Sequence, residues 1–218
     1  MKIKSISANL QYVDQNVELS DYGRGRLEDV GFVSAMSLVL MCNYAQTGHL
    51  GGPLAYTPYT VASHLVGPTN GGLSYDYRDP KHPYADKFML AGGHNAPATY
   101  ALWMVLGEAL ARKFEKTKDK RYWADPKTSM LAIDAIGFRR GRRYLETVLK
   151  DNGLSGHPIM DQANLRGIRS LAGHSETTDL TNDVNGGPSG IGIATAAGKA
   201  TFRDMVGAPD SLKILAVE

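Results

Sequence analysis

Cysteine is almost missing. Cys42 stands alone among 218 residues, so no disulfide can close within the chain, and a reducing, cytoplasmic setting is expected. Long apolar runs are missing too. None reaches the length of a membrane-spanning helix, and Met1-Lys2-Ile3-Lys4 does not lead into a signal-peptide core. Nor is there an excess of charge. The 24 Lys and Arg against 22 Asp and Glu leave +2, which points to neither nucleic acid nor an anionic membrane as partner. No repeat, low-complexity tract or domain boundary interrupts the chain, so residues 1–218 read as one domain. A hydrophobic share of 43% with 21% charged residues is ordinary for a globular fold.

Glycine, by contrast, is plentiful at 24 residues, and many of these stand beside histidines. The densest stretch is 181–200, TNDVNGGPSGIGIATAAGKA. Asn185-Gly186-Gly187-Pro188 fits neither a helix interior nor a central strand and predicts a sharp loop. The small residues behind it predict a helix with Gly190, Ala194 and Gly198 on one face, open to close approach by a backbone or a ligand. A glycine loop opening onto a helix N-terminus suits phosphate, and a tightly packed core helix after an ordinary turn explains the stretch equally well.

Elsewhere the periodicity predicts helices and short strands in alternation. Residues 1–26 are weakly patterned and are expected on the surface. Val30, Val33, Met36 and Leu40 recur at helical spacing, so a buried amphipathic helix is predicted over 27–45. Thr57-Pro58 looks like an N-cap and N1 pair opening a helix to about Leu65. Lys87-Phe88-Met89-Leu90 is a candidate strand, and Asn95 with Pro97 is set to open a helix that turns Tyr100, Trp103, Leu106 and Leu110 inward and ends near Arg112. The charge run 113–121 is expected to be solvated, 137–150 partly helical, and 212–217 a buried strand. The alternation predicts an α/β fold, a largely parallel sheet flanked by helices, with ligands beyond the carboxyl ends of the strands.

Six histidines are present. His64 falls inside a helix and His82 in a Pro-flanked loop, and both are expected to be structural or exposed. His49, His94 and His157 each follow a glycine, which lets main chain approach a ligand while an imidazole exchanges protons near neutral pH. No H-E-x-x-H, no paired cysteines, no G-x-S-x-G and no G-x-G-x-x-G after a strand occur. Zinc-protease, hydrolase-triad and dinucleotide-binding readings fade accordingly.

Four segments resemble motifs of one family, in the family's order. Gly48-His49-Leu50-Gly51-Gly52-Pro53-Leu54 resembles the GH-x-G-G-P-L segment of transketolases, and residues 86–101 (DKFMLAGGHNAPATYA) resemble their D-R-F-x-L-S-x-G-H-x-x-P-x-x-Y-A block. Leu154-Ser155-Gly156-His157-Pro158 looks like their L-x-G-H-P, and Gly187-Pro188-Ser189-Gly190-Ile191-Gly192 is similar to their G-P-L-G-Q-G loop. Ser189 and Ile191 stand where the family has Leu and Gln.

The resemblance implies the N-terminal, pyrophosphate-binding domain of a thiamine diphosphate-binding fold. Its implied activity is two-carbon ketol transfer between sugar phosphates. By the same resemblance His94 contacts the diphosphate, and His49 and His157 line the cofactor and the donor sugar. The Gly187 carbonyl takes the aminopyrimidine, with Pro188 and Ser189 beside it. Magnesium accompanies the cofactor, its ligands expected beyond Glu218, so that the domain is incomplete at its C-terminus and inactive as this chain alone. A homodimer is implied, or association with the remainder of the enzyme or a partner subunit. Two alternatives stay open: a relative of 2-oxo acid dehydrogenases or 1-deoxyxylulose-phosphate synthases, and a non-catalytic interaction module that keeps the fold.

Overall fold

A computed structural model describes residues 21–126, 128–158, 161, 167–177, 180, 182–188 and 190–217. Most of the weakly patterned opening stretch, together with Ser189 and Glu218, lies outside the described residues. The described chain is mixed α/β and mostly helical, with a small parallel sheet of two strands. In order come α1 (Asp21–Ala45), α2 (Gly51–Leu65), β1 (Lys87–Leu90), α3 (Ala96–Thr117), α4 (Gly141–Asp151), α5 (Ile191–Met205) and β2 (Ile214–Val217).

Three helices and the sheet make the core. Helices α1, α2 and α3 pack on one another, while α5 packs on both strands just before the chain enters β2. Trp103, Tyr100, Phe88, Phe138, Leu38 and Met41 are at most 1% exposed and fill the centre. Burying each such side chain stabilises the fold by about 1.5–3 kcal/mol. The strands pair from Lys87 with Ile214 to Leu90 with Val217, and Phe88 also bridges in parallel to Asn182. Asp86 holds the start of the sheet, its carboxylate accepting the N–H groups of Ser74 at 2.7 Å and Lys213 at 2.8 Å.

Several local expectations change on folding. The side of α1 that faces the core carries Ser34, Leu38, Met41, Cys42 and Ala45, whereas Val33, Met36 and Leu40 are 47%, 47% and 50% exposed. That helix is apolar on both sides, so its spacing alone does not say which side packs. Helix α2 begins at Gly51, six residues before Thr57, and runs through Pro58. The Thr57 hydroxyl does not cap. It donates to the Pro53 carbonyl at 2.9 Å, one turn back. Helix α3 continues past Arg112 into the charge run and stops at Thr117, and β2 starts at Ile214, two residues later than expected.

The small-residue helix is also read differently by the fold. In α5 the close approach belongs to Gly192, where a Cβ would run into the Ala91 main chain, while at Gly198 a Cβ would meet only open space. The predicted stripe of Gly190, Ala194 and Gly198 therefore is not the packed one.

Candidate functional site

The carboxyl end of β1 gathers four loops. After Leu90 the chain passes through Ala91 and Gly92 and makes one tight turn, Gly93–Asn95, into α3. Two later segments are tied to this turn by main-chain bonds. The Ser175 N–H donates to the Gly93 carbonyl at 3.1 Å, and the Gly186 N–H donates to the Ser175 carbonyl at 2.9 Å. The Ser175 hydroxyl donates to the Leu90 carbonyl at 3.2 Å, and the Leu90 N–H donates to Asn182 Oδ1 at 3.0 Å. Gly93 has to be glycine here, because a Cβ would collide with the Gly186 carbonyl.

The fourth loop joins α1 to α2 and brings His49. Gly48, at φ +147°, lies against the Cys42 side chain and the Phe138 ring, in a conformation that favours glycine. Gly52 backs onto the His94 ring and the Asn95 side chain, so the start of α2 and the start of α3 touch.

Three imidazoles meet at this point. The His49 ring lies 5.4 Å from that of His94 and 6.2 Å from that of His174, edge to face in both cases. Arg139 spans the same place. Its guanidinium reaches Thr47 Oγ1 and the Gly173 carbonyl, each at 3.4 Å, and thereby links the loops carrying His49 and His174. His49 is exposed, and the slight desolvation it does feel lowers its imidazole below the ordinary value, the nearby charges of Arg139, His94 and His174 pushing the same way.

Beside His174 opens a cavity of about 480 Å³, lined by residues 174–177 and 185–187. Gly187 stands on its wall with nothing within 4 Å of where a Cβ would be. Pro188 follows it, exposed, and Gly190 at φ +85° turns the chain into α5. Asn95 is 2% exposed, and its Oδ1 has no hydrogen-bond partner.

No known family's sequence model matches the chain, and no curated protein does either. What the site can do therefore rests on its own geometry. A guanidinium, three imidazoles and a glycine loop opening onto a helix N-terminus make a surface for an anion. Imidazole is also the side chain best suited to giving and taking protons near neutral pH. Among the described residues no group of three His, Cys, Asp or Glu comes together to hold a metal ion.

The histidines divide cleanly by position. His49 and His94 come together, their rings 5.4 Å apart. His157 lies on the exposed turn after α4, where its N–H donates to the Leu154 carbonyl at 3.1 Å, and His174 is the third ring packed at His49. Sequence reasoning passed over His174, yet Gly173-His174 is another Gly-His pair, and that signal was available. Arg139 gave no such signal, because it reaches the site only through the bridge that sets Phe138 beside Leu171. His64 is buried and structural, as expected, and His82 accepts the Tyr84 N–H at 3.2 Å in its loop.

Proposed function

We propose that the chain is the cofactor-binding domain of a transketolase-like, thiamine diphosphate-dependent transferase that moves a two-carbon ketol unit between sugar phosphates. The observation that carries this is the meeting of His49, His94 and His174 at the carboxyl end of β1, beside a cavity walled by Gly186 and Gly187.

The residues present suit a diphosphate-bearing cofactor. Gly187 leaves open space on the cavity wall, and Arg139 brings a guanidinium to the loop that carries His174. In this reading His94 and the N-terminal end of α5 hold the diphosphate. Gly187 presents its carbonyl to the cofactor's amino group. The described residues do not suit the magnesium ion, which takes its ligands from elsewhere.

When bound, the cofactor supplies the carbon nucleophile and electron sink that two-carbon transfer needs. The chain's part is to bind and to move protons. His49, held largely neutral, accepts a proton from a sugar hydroxyl, and Arg139 and His174 oppose negative charge on the donor sugar. His174 rather than His157 takes the third imidazole's role, because it is the ring packed against His49.

Calorimetric titration with thiamine diphosphate and magnesium tests the reading. Saturable binding is expected, weakened about tenfold or more by His94→Ala and left within about twofold by His157→Ala, as for loss of a charge-assisted hydrogen bond. Absence of any saturable heat from the intact protein overturns it. A cytoplasmic homodimer completes the proposal. Among the described residues no helix is long and apolar enough to cross a membrane, and the open apolar side of α1 suits association with a second copy.

A further inference from the structure

His49, His94, His157 and His174 each follow a glycine, and all but His157 belong to the cluster. In those three pairs the room left by glycine is taken up by the protein itself. A Cβ on Gly48 would run into the Cys42 sulfur, and one on Gly93 into the Gly186 carbonyl. On Gly173 it would collide with Nε, Cζ and Nη2 of Arg139. At Gly156, before the outlying His157, nothing lies within 4 Å.

The Arg139 guanidinium therefore occupies the place of a side chain at 173. It also stands 5.6 Å over the Phe138 ring, which is fully buried. Nη1 donates to Thr47 Oγ1 and Nη2 to the Gly173 carbonyl, each at 3.4 Å. Bonds this long are weak singly. The placement comes from shape instead, a planar cation fitted between an aromatic ring and bare main chain.

The main chain at Arg139 is set for this. Its φ is +50°, a left-handed conformation that a residue with a Cβ keeps only where its surroundings impose it. The Arg139 N–H donates to the Leu171 carbonyl at 2.8 Å, and the Leu171 N–H donates to the Gly137 carbonyl at 3.1 Å. Phe138 bridges to Leu171 in parallel, so the two segments run side by side. A Cβ on Gly137 would block that approach by striking the Arg169 carbonyl. Phe138 is thereby turned into the core, and the exposed Arg139 reaches across to Gly173.

We propose that Arg139, seated on Gly173, is the positioning residue of the histidine site, a clamp that holds the His49 loop against the His174 loop. This deepens the transferase reading and rests on it for calling the cluster a site. Arg139 then acts through His49 and His174, in addition to opposing charge on the donor. Gly173 serves the clamp and not a ligand. The groups facing His49 are Arg139, His94 and His174, with the Cys42 thiol 3.9 Å from its carbonyl oxygen.

Nuclear magnetic resonance of the cofactor-free full chain, with labelled imidazoles and His49 assigned through His49→Gln, reads this geometry. Wild type is expected to show a ring-to-ring contact between His49 and His174 and a His49 titration midpoint below the ordinary value. Arg139→Met removes the clamp and Gly173→Ala displaces it. Each is expected to lose the contact and raise the midpoint, because the guanidinium no longer opposes the imidazolium. Adding Gly173→Ala to Arg139→Met is expected to change nothing further, since both break one interaction. Gly173→Ala is the variant that folds if Arg139→Met does not, because only the far end of a flexible side chain stands in its way. A contact that survives Gly173→Ala, or a double variant equal to the sum of its parts, overturns the proposal. No thiamine diphosphate enters this measurement, so a failed cofactor titration and a failed clamp are separate results.

Discussion

At the scale of single residues, His64 shows most plainly how burial decides what a side chain does. It packs against Phe88 at 4.8 Å, Tyr75 at 5.6 Å and Trp103 at 6.0 Å, fully enclosed by rings. Burial pushes its imidazole down from 6.5 to about 4, outweighing the Thr60 carbonyl that favours the charged form. The unfolded chain therefore takes up a proton near pH 6.5 that the folded chain refuses until about pH 4. Stability from this group is complete above pH 6.5 and drains away as pH falls toward 4, on the order of 3 kcal/mol in all. Denaturant unfolding at pH 7 and at pH 4.5 reads this out. The loss between the two is expected to be about 2 kcal/mol smaller in His64→Gln than in wild type, and identical losses would sink the assignment. The sequence placed His64 on a helix but could not show the rings around it, which come from the 73–88 segment and from α3.

Elements were legible where one short pattern decides them. Lys87–Leu90 is a strand in which three apolar residues, Phe88, Met89 and Leu90, run into a glycine turn, and Asn95 does precede α3 with a proline in its first turn. The choice of packed face was not legible, since it depends on what lies opposite. Helix α5 is the sharpest case. Its glycines at 192 and 198 look alike in sequence, but Ala91 stands against the first and open space lies beside the second. Gly192→Ala is expected to cost about 1–3 kcal/mol by overpacking against β1's end. Gly198→Ala is expected to be neutral or to stabilise by up to about 1 kcal/mol through helix propensity alone. Urea unfolding of the two variants decides it. Equal effects would mean that α5 does not seat on Ala91. Of the candidate site, His49, His94 and Gly187 were readable from their glycine settings, whereas His174 and Arg139 meet them only through the pairing of distant loops.

For the molecule as a whole, the open question posed by the fold is α1. One side of this 25-residue helix closes the core, and the other shows Phe32 at 68%, Met36 at 47% and Leu40 at 50% exposure, four residues apart in one row. Val33, Val39 and Tyr44 widen that row, at 47%, 39% and 38%. A helix apolar on both sides belongs inside a larger body, and an exposed patch of this kind marks a contact surface. A second copy supplies the same row by two-fold symmetry, so one self-complementary patch covers both. Light scattering after size exclusion is expected to give about twice 23.6 kDa near 100 μM, and Phe32→Glu with Met36→Glu and Leu40→Glu to return the mass to 23.6 kDa. Helix content and cofactor binding serve as controls, since none of the three side chains supports the core. A wild-type monomer at that concentration would remove the homodimer from the proposed function while leaving the histidine site to be judged by its own titration.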